Sequence, residues 1–480
     1  MKITRICSFL GLAFVLVSLN ACQLDETPYS FLSAQQFYTS ASDAEAALTA
    51  AYTPVTDLYS RVGTQLPDYS ADQAFPRAVV GRDQLTVFSY DATMDLIGQY
   101  WQHCYNGINR ANQVIENVPK ITMDETRKKQ ILAEAYFLRG LYYFHLVKTF
   151  GEVPLKQEST KDILSTEVAK SKVEEIYAFI VKDFEQAAKD LPAAPKDRGR
   201  ATSGAAQGLL AKTHLYAGSW TKAAENAQLV IQSNRYSLMP SIVDLYNPLR
   251  EDAARAEQIF AAEFSALSGL NGSDLVGFYA PANSPPVFSR TAFGSAFAYM
   301  SFYRSFNPVD RRRQMLDTAY VNSAGRLIGQ SDATIKDRVI VKKFLDPNSN
   351  GANGENNFPI LRLADVYLIV AEAEARQNGP TAVAYAAINT VRRRAGIPDL
   401  APGLSKDAFI EAVLQERSWE LFVEADRWYD LTRTGKFKQV ATVLNSYYLT
   451  RPVQDKHRYF PIPNIEVLTN SKIEQNPSWK

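Results

Sequence analysis

Three carboxylates one helical turn apart, Glu416, Glu420 and Glu424, have the residue type and spacing that acid/base chemistry uses. They lie in the run LQERSWELFVEADRWYDLTRTGKF. There Ile410, Val413, Leu414, Leu421, Ala425, Trp428 and Leu431 recur at three- and four-residue spacing and predict one continuous helix over 406–433. Carboxylates stacked along one helix cannot flank a substrate from two sides, as hydrolytic pairs do. The favoured reading is a charged network that fixes helix packing. Arg417 and Glu424 fall inside the apolar stripe, where an unpaired charge would be expensive to bury. Residues three apart offer two pairs, Arg417 with Glu420 and Glu424 with Arg427.

Other catalytic and metal signatures are weak, so neither an enzyme nor a cofactor or metal is expected. His103, His145, His214 and His457 lack metal-ligand spacing, and no glycine-rich phosphate loop with a following Lys-Ser or Lys-Thr occurs. Ser219-Trp220-Thr221-Lys222 fits the S-x-x-K pattern but sits at a turn without its companion motifs. The loop DPNSNGANGENN, 346–357, places Asp346, Asn348, Asn350 and Gly351 in calcium-loop register. It puts Asn357 where a bidentate Glu is needed.

The elements that must position any site begin with a leader. Lys2 and Arg5 precede an apolar run from Phe9 to Leu19, too short for a stable span and laid out like an export signal. Leu19-Asn20-Ala21-Cys22 follows and resembles a bacterial lipobox, which makes Cys22 the lipidated first residue of the mature chain and 1–21 the leader. Cys104 is then the single cysteine left after Cys7 and Cys22, so no internal disulfide framework can form. Losing Lys2 and Arg5 lowers the 52 basic residues to 50 against 51 acidic ones, which argues against nucleic acid as a partner.

At 46% hydrophobic and 21% charged, the 480 residues suit a large folded core. Helical periodicity predicts helices over 43–59, 94–117, 124–150, 173–191, 202–217, 220–233, 361–378, 381–395 and 406–433. Two pairs share a plan. In 209–231 and 366–388 a glycine, Gly218 or Gly379, ends one helix, and alanines line the next, so that antiparallel helices approach closely. Both resemble tetratricopeptide hairpins. The fold class is therefore mainly α, a helical-hairpin scaffold with long irregular loops. Its organisation reads as an N-terminal region over 22–235 and a C-terminal region over 236–480, packed as one unit, with a loop-rich insert at about 240–360.

Residues 61–92 and 240–360 lack helical periodicity, and binding loops sit in such stretches on rigid scaffolds. Ten Phe or Tyr occur between Phe264 and Phe306, at least half of them expected to be core. Candidate ligand contacts are Tyr69, Asp72 and Arg77 from the first stretch, with Tyr279, Asn283 and Arg290 from the second. Trp101 is left out, because Tyr105, Ile108 and Ala111 on the same helix indicate packing.

The lipobox, FLRG in the helix after Tyr136, GRATSGAAQGLLAKTHLYAG, FNPVDRRR, LRLADVYLIVAEAEA, INTVRRRAG and the ending YFPIPNIEVLTNSKIEQNP together resemble the SusD/RagB family of outer-membrane lipoproteins. Glu416, Arg417, Glu420, Leu421, Glu424, Arg427, Asp430, Leu431 and Arg433 match that family's most telling segment. Asp25 and Glu26 resemble its surface-export signal. The resemblance implies a surface-exposed lipoprotein that serves as the lid of a SusC-like TonB-dependent outer-membrane transporter and captures oligosaccharide, with peptide as the alternative cargo. A surface glycoside hydrolase is the more distant alternative. It also implies that the charged C-terminal segment is scaffold and that variable loops hold the ligand.

Overall fold

The computed structural model describes residues 37–480 apart from 79–80, 163–166, 196, 268–271, 287, 290 and 351–352. The leader, Cys22 and Arg290 lie outside the described residues. Numbering only the principal elements, the helices are α1 Ala41–Asp57, α2 Gly63–Ser70, α3 Asp95–Asn117, α4 Glu125–Phe150, α5 Val173–Asp190, α6 Ser203–Tyr216, α7 Trp220–Gln232, α8 Leu363–Asn378, α9 Ala382–Ala395, α10 Lys406–Glu420 and α11 Arg427–Arg433. Local chemistry sets many of the starts. Ser40 and Asp43 form a capping box on α1, and the side chains of Asp124, Thr202, Thr381 and Ser405 accept from backbone N–H groups opening α4, α6, α9 and α10. Gly218 and Gly379 carry φ of 75° and 83°, as the hairpin reading requires.

The helices stack in sequence: α1 on α3, α3 on α4, then α5, α6, α7 and α8 each on its predecessor, with α9 and α10 both against α8. The mainly α architecture with tetratricopeptide-like hairpins is thus the observed one. Residues 233–362 leave between α7 and α8, yet those two helices still pack together. The neck of this insert is closed by an antiparallel pair, β2 Gln258–Ala262 against β6 Phe358–Arg362, with Phe358 opposite Ala262 and Arg362 opposite Gln258. Farther out, β1 Ala74–Pro76, β3 Ala296–Tyr299, β5 Arg338–Val341 and β4 Leu316–Asp317 form a small antiparallel sheet in the order β1-β3-β5-β4.

Two departures from the sequence reading matter. Residues 61–92 are not an open loop: a π-helical turn over Leu58–Val62 runs into α2, with Pro67 inside the helix. The predicted helix over 406–433 is broken after Glu420 and resumes at Arg427. Between them Val423 and Ala425 adopt left-handed φ of 50° and 63°, conformations that disfavour side chains with a Cβ. Tertiary bonds impose this turn. The N–H of Ala425 donates to Asp68 Oδ1 at 3.1 Å, Gln73 Nε2 donates to the Ser418 carbonyl at 2.7 Å, and Lys343 Nζ donates to the Phe422 carbonyl at 2.6 Å.

Candidate functional site

Because the helix is interrupted, its charges find partners on other elements, and the two pairings read from the sequence are both replaced. Arg417 donates to Asp365 at 2.6 Å and to Asp430 at 2.7 Å, not to Glu420. Arg427 makes two bonds to Asp72, at 2.8 and 2.7 Å, rather than one to Glu424. Glu420 receives Arg362 and Arg394 on one oxygen and Arg312 on the other. Glu424 receives Lys343 at 2.6 Å, Arg362 at 2.9 Å and the Tyr246 hydroxyl at 2.7 Å. Glu416 takes Arg312 and Arg392.

Burial alone would push these carboxyls up. Instead Arg394, Arg362 and Arg312 hold Glu420 well below the usual range, and Arg433 with Arg376 brings Glu372 down to about 2. Glu416, Glu420 and Glu424, the stacked carboxylates that acid/base chemistry would use, are buried and saturated with cations. The cluster ties the insert (Glu257, Arg312, Lys343) to α10 and α9, which makes it a scaffold device.

The other chemical motifs are also absorbed by structure. His145 sits between the hydroxyls of Tyr59 at 2.8 Å and Tyr100 at 2.6 Å. In the calcium-like loop, Asp346 accepts from the N–H groups of Asn348 and Glu355, and Asn357 accepts from that of Phe264. Among the described residues no group of three or more His, Cys, Asp or Glu is placed to hold a metal. Lys222 pairs with Glu225 at the surface.

The candidate ligand residues scatter. Tyr69 is 1% exposed and Tyr279 is 3% exposed, so neither ring presents a face to a ligand. The physical reason is that α2 is a buried helix, whereas its Pro67 had suggested a loop; Tyr279 lies on the short helix Leu275–Tyr279 and packs on Phe344. Asp72 is consumed by Arg427. Arg77, half-buried, uses its N–H on the Ser295 carbonyl at 2.7 Å. Asn283 is exposed in a left-handed turn, and its carbonyl accepts from Ser323. Of the ten insert aromatics, Phe293 is the one with a large exposed surface, at 41%.

A cleft of about 480 Å³ lies along α3. Helical spacing puts Trp101, Tyr105, Ile108, Asn109 and Asn112 on one stripe of that helix. Facing it are 154–160, which follow α4, and the C-terminal helix Asn464–Thr469 with Asn470 and Ile473. Trp101 is the back wall, buried as the sequence indicated, and its ring centroid lies 4.8 Å from that of half-buried Tyr105.

Hydrogen bonds stiffen the walls. Tyr105 donates to the Pro154 carbonyl at 2.8 Å, Asn109 accepts from the Thr160 N–H at 2.7 Å, and Asn112 donates to the Lys156 carbonyl while accepting from Arg139. Gln102 and Asn106 remain exposed at the rim. The Lys156 ammonium stands 5.6 Å from the Tyr105 ring centroid. Burial raises the Glu466 carboxyl and lowers the Lys156 ammonium, each partly offset by the other. They attract across the cleft without an ion pair inside 4 Å among the described residues. A hydroxyl placed between them would donate to the carboxylate and accept from the ammonium, beside a ring that takes C–H faces.

Residues 298–479 match the SusD family, and residues 24–215 match a family described as starch-binding associating with outer membrane. The chain belongs to the SusD/RagB family. It is 26% identical to SusD-like protein P2 of Formosa agariphila, over 96% of this chain and 97% of that one. A SusD homolog from Bacteroides thetaiotaomicron superposes with a TM-score of 0.82 at 24% identity, covering 93% of this chain and 98% of the other. A laminarin-binding SusD-like protein does so with a TM-score of 0.77 at 26% identity, covering 92% and 100%.

The cleft on α3 was missed by sequence reasoning because its ring, Tyr105, shares a helix face with core residues. A usable signal was present: amides at Asn106, Asn109 and Asn112 interleave with that apolar stripe.

Proposed function

We propose that this SusD/RagB member is a surface lipoprotein of the outer membrane that binds oligosaccharide without turning it over and passes it to a SusC-like TonB-dependent transporter. Lipidation of Cys22 anchors it, since acyl chains contribute about 0.8 kcal/mol per buried methylene. No helix among the described residues is long and apolar enough to cross a membrane. The observation that carries the ligand class is the cleft on α3, where the half-buried Tyr105 ring, exposed amides and an unjoined Lys156 and Glu466 converge. Likeness over nearly the full length to a laminarin-binding SusD-like protein supports the same class.

Arg77 and Asn283, on loops of the insert side, are retained as further contacts for a long ligand. Turnover has no support in Glu416, Glu420 and Glu424, the stacked carboxylates of the sequence, which are locked by cations. Affinity electrophoresis against glucan, mannan, xylan and galactan, with reducing-sugar release measured in parallel, tests the reading. One polysaccharide class should retard the protein and stay intact. Saturable hydrolysis, or retention by peptides alone, would contradict it.

A further inference from the structure

A second cleft, also of about 480 Å³, lies between residues 193–195 and 197–202, the residues after α7 and strand β2. We propose that it is a separate binding site for an acidic saccharide, one carrying a carboxylate or a sulfate ester. This goes beyond the neutral-glycan reading of the α3 cleft and does not depend on it.

The floor is apolar. Ile259, Phe260 and Ala261 of β2 line it, and β2 pairs with β6 along one edge alone. Half-buried Tyr236 forms a wall held against α6. Its hydroxyl is 3.3 Å from Thr202 Oγ1, and a Cβ at position 204 would sit 2.4 Å from that hydroxyl, so Gly204 is what lets the ring lie against α6. An apolar floor with a fixed ring suits the C–H face of a pyranose.

The rim distinguishes this cleft from the one on α3. Four guanidinium groups line it, Arg198, Arg200, Arg235 and Arg255, against the carboxylates of Asp197 and Glu263. Glu263 is already occupied by two bonds from Arg255, at 3.2 and 2.8 Å, and one from Asn357 at 2.9 Å. Arg200 is committed: it is spread over the Tyr52 ring, bonded to Thr49 at 2.9 Å and paired with buried Glu134 at 3.4 Å. Arg198 meets Asp252 at 2.7 Å with both side chains more than half exposed, a pair that water and salt weaken. Arg235 is exposed and has no carboxylate within 4 Å among the described residues, which leaves its planar fork open for a carboxylate or sulfate. By contrast, the α3 cleft is lined by one lysine and two glutamates.

The test is calorimetry of the whole folded chain with an oligogalacturonate, a sulfated galactan oligosaccharide and the matching neutral galactan oligosaccharide, at low and high salt. At least one acidic probe should bind more tightly than the neutral one and weaken as salt rises; which acidic probe wins tells carboxylate from sulfate. Arg235→Gln should weaken that probe about tenfold, and Tyr236→Ala should weaken it independently of salt. Tyr105→Ala should leave it unchanged, which separates this site from the α3 cleft. Equal affinity for neutral and acidic probes, or an acidic-probe affinity untouched by Arg235→Gln in a protein of unchanged circular dichroism, overturns the proposal.

Discussion

The turn at 421–426 and the cleft on α3 are built from the same kinds of side chain and use them oppositely. Around the turn, Glu420, Glu424, Arg312 and Arg362 are buried, and each meets several counter-charges. In the cleft, Lys156 and Glu466 are half-buried and face each other without joining. Saturated charges specify a fold, because any displaced partner strands another in a low-dielectric interior. Unsaturated charges beside a ring leave hydrogen-bonding capacity for a ligand. Buried, saturated clusters therefore mark scaffold in this molecule, and recognition surfaces lie where charges stay exposed or unjoined.

The sharpest way to break that contrast is Arg362→Met, which removes the cation shared by Glu257, Glu420 and Glu424. Loss of one buried partner should destabilise by about 3–5 kcal/mol in denaturant titrations. A change below about 1 kcal/mol would show the cluster to be dispensable. Tyr69→Ala should cost about 3 kcal/mol through the cavity it leaves, while the folded fraction keeps its glycan affinity; selective loss of binding would return Tyr69 to the site.

Acidity sharpens the picture further. The stability from Glu372 and Glu420, whose folded pKa values are depressed, is complete above the unfolded carboxylate range and is lost as pH falls toward about 2. Asp68 runs the other way. Burial pushes its carboxyl up to about 8, so the folded state keeps a proton that the unfolded chain gives up near pH 4, and this group's contribution declines as pH rises from about 4 to about 8. Asp68→Asn should flatten the melting-temperature profile over that interval, and an unchanged profile would contradict the assignment. The smallest effect belongs to Ala425→Gly. At a φ of 63° glycine relieves a left-handed alanine, for a gain of about 0.5–1 kcal/mol after its larger unfolded-state entropy.

Legibility in the sequence followed the range of the interactions. Helix periodicity, capping residues and glycine stops are local, and α3 through α9 begin and end within two residues of where those signals put them. The break in 406–433 was invisible, because Leu421, Ala425 and Trp428 keep helical spacing while the bonds that bend the chain come from Asp68, Gln73 and Lys343. For the same reason the carboxylate partners were misassigned: neighbours in sequence were available, but Asp72 and Arg362 reach the segment from far away. Tyr69 and Tyr279 have the residue type of ligand contacts and lie in stretches without periodicity, but irregular sequence does not report burial. The α3 cleft is closed by 154–160 and 464–473, whose meeting no local pattern encodes.

Calorimetry of Tyr105→Ala against the saccharide that the wild-type protein retains tests the central claim most directly, since Tyr105 lines the cleft yet stands outside the ion cluster. Affinity should fall by about tenfold, on the order of 1 kcal/mol or more for one aromatic face; the melting temperature should drop with the lost Trp101 packing and Pro154 bond while circular dichroism shows the fold retained. Full affinity in a folded Tyr105→Ala protein would contradict the account and move recognition away from α3.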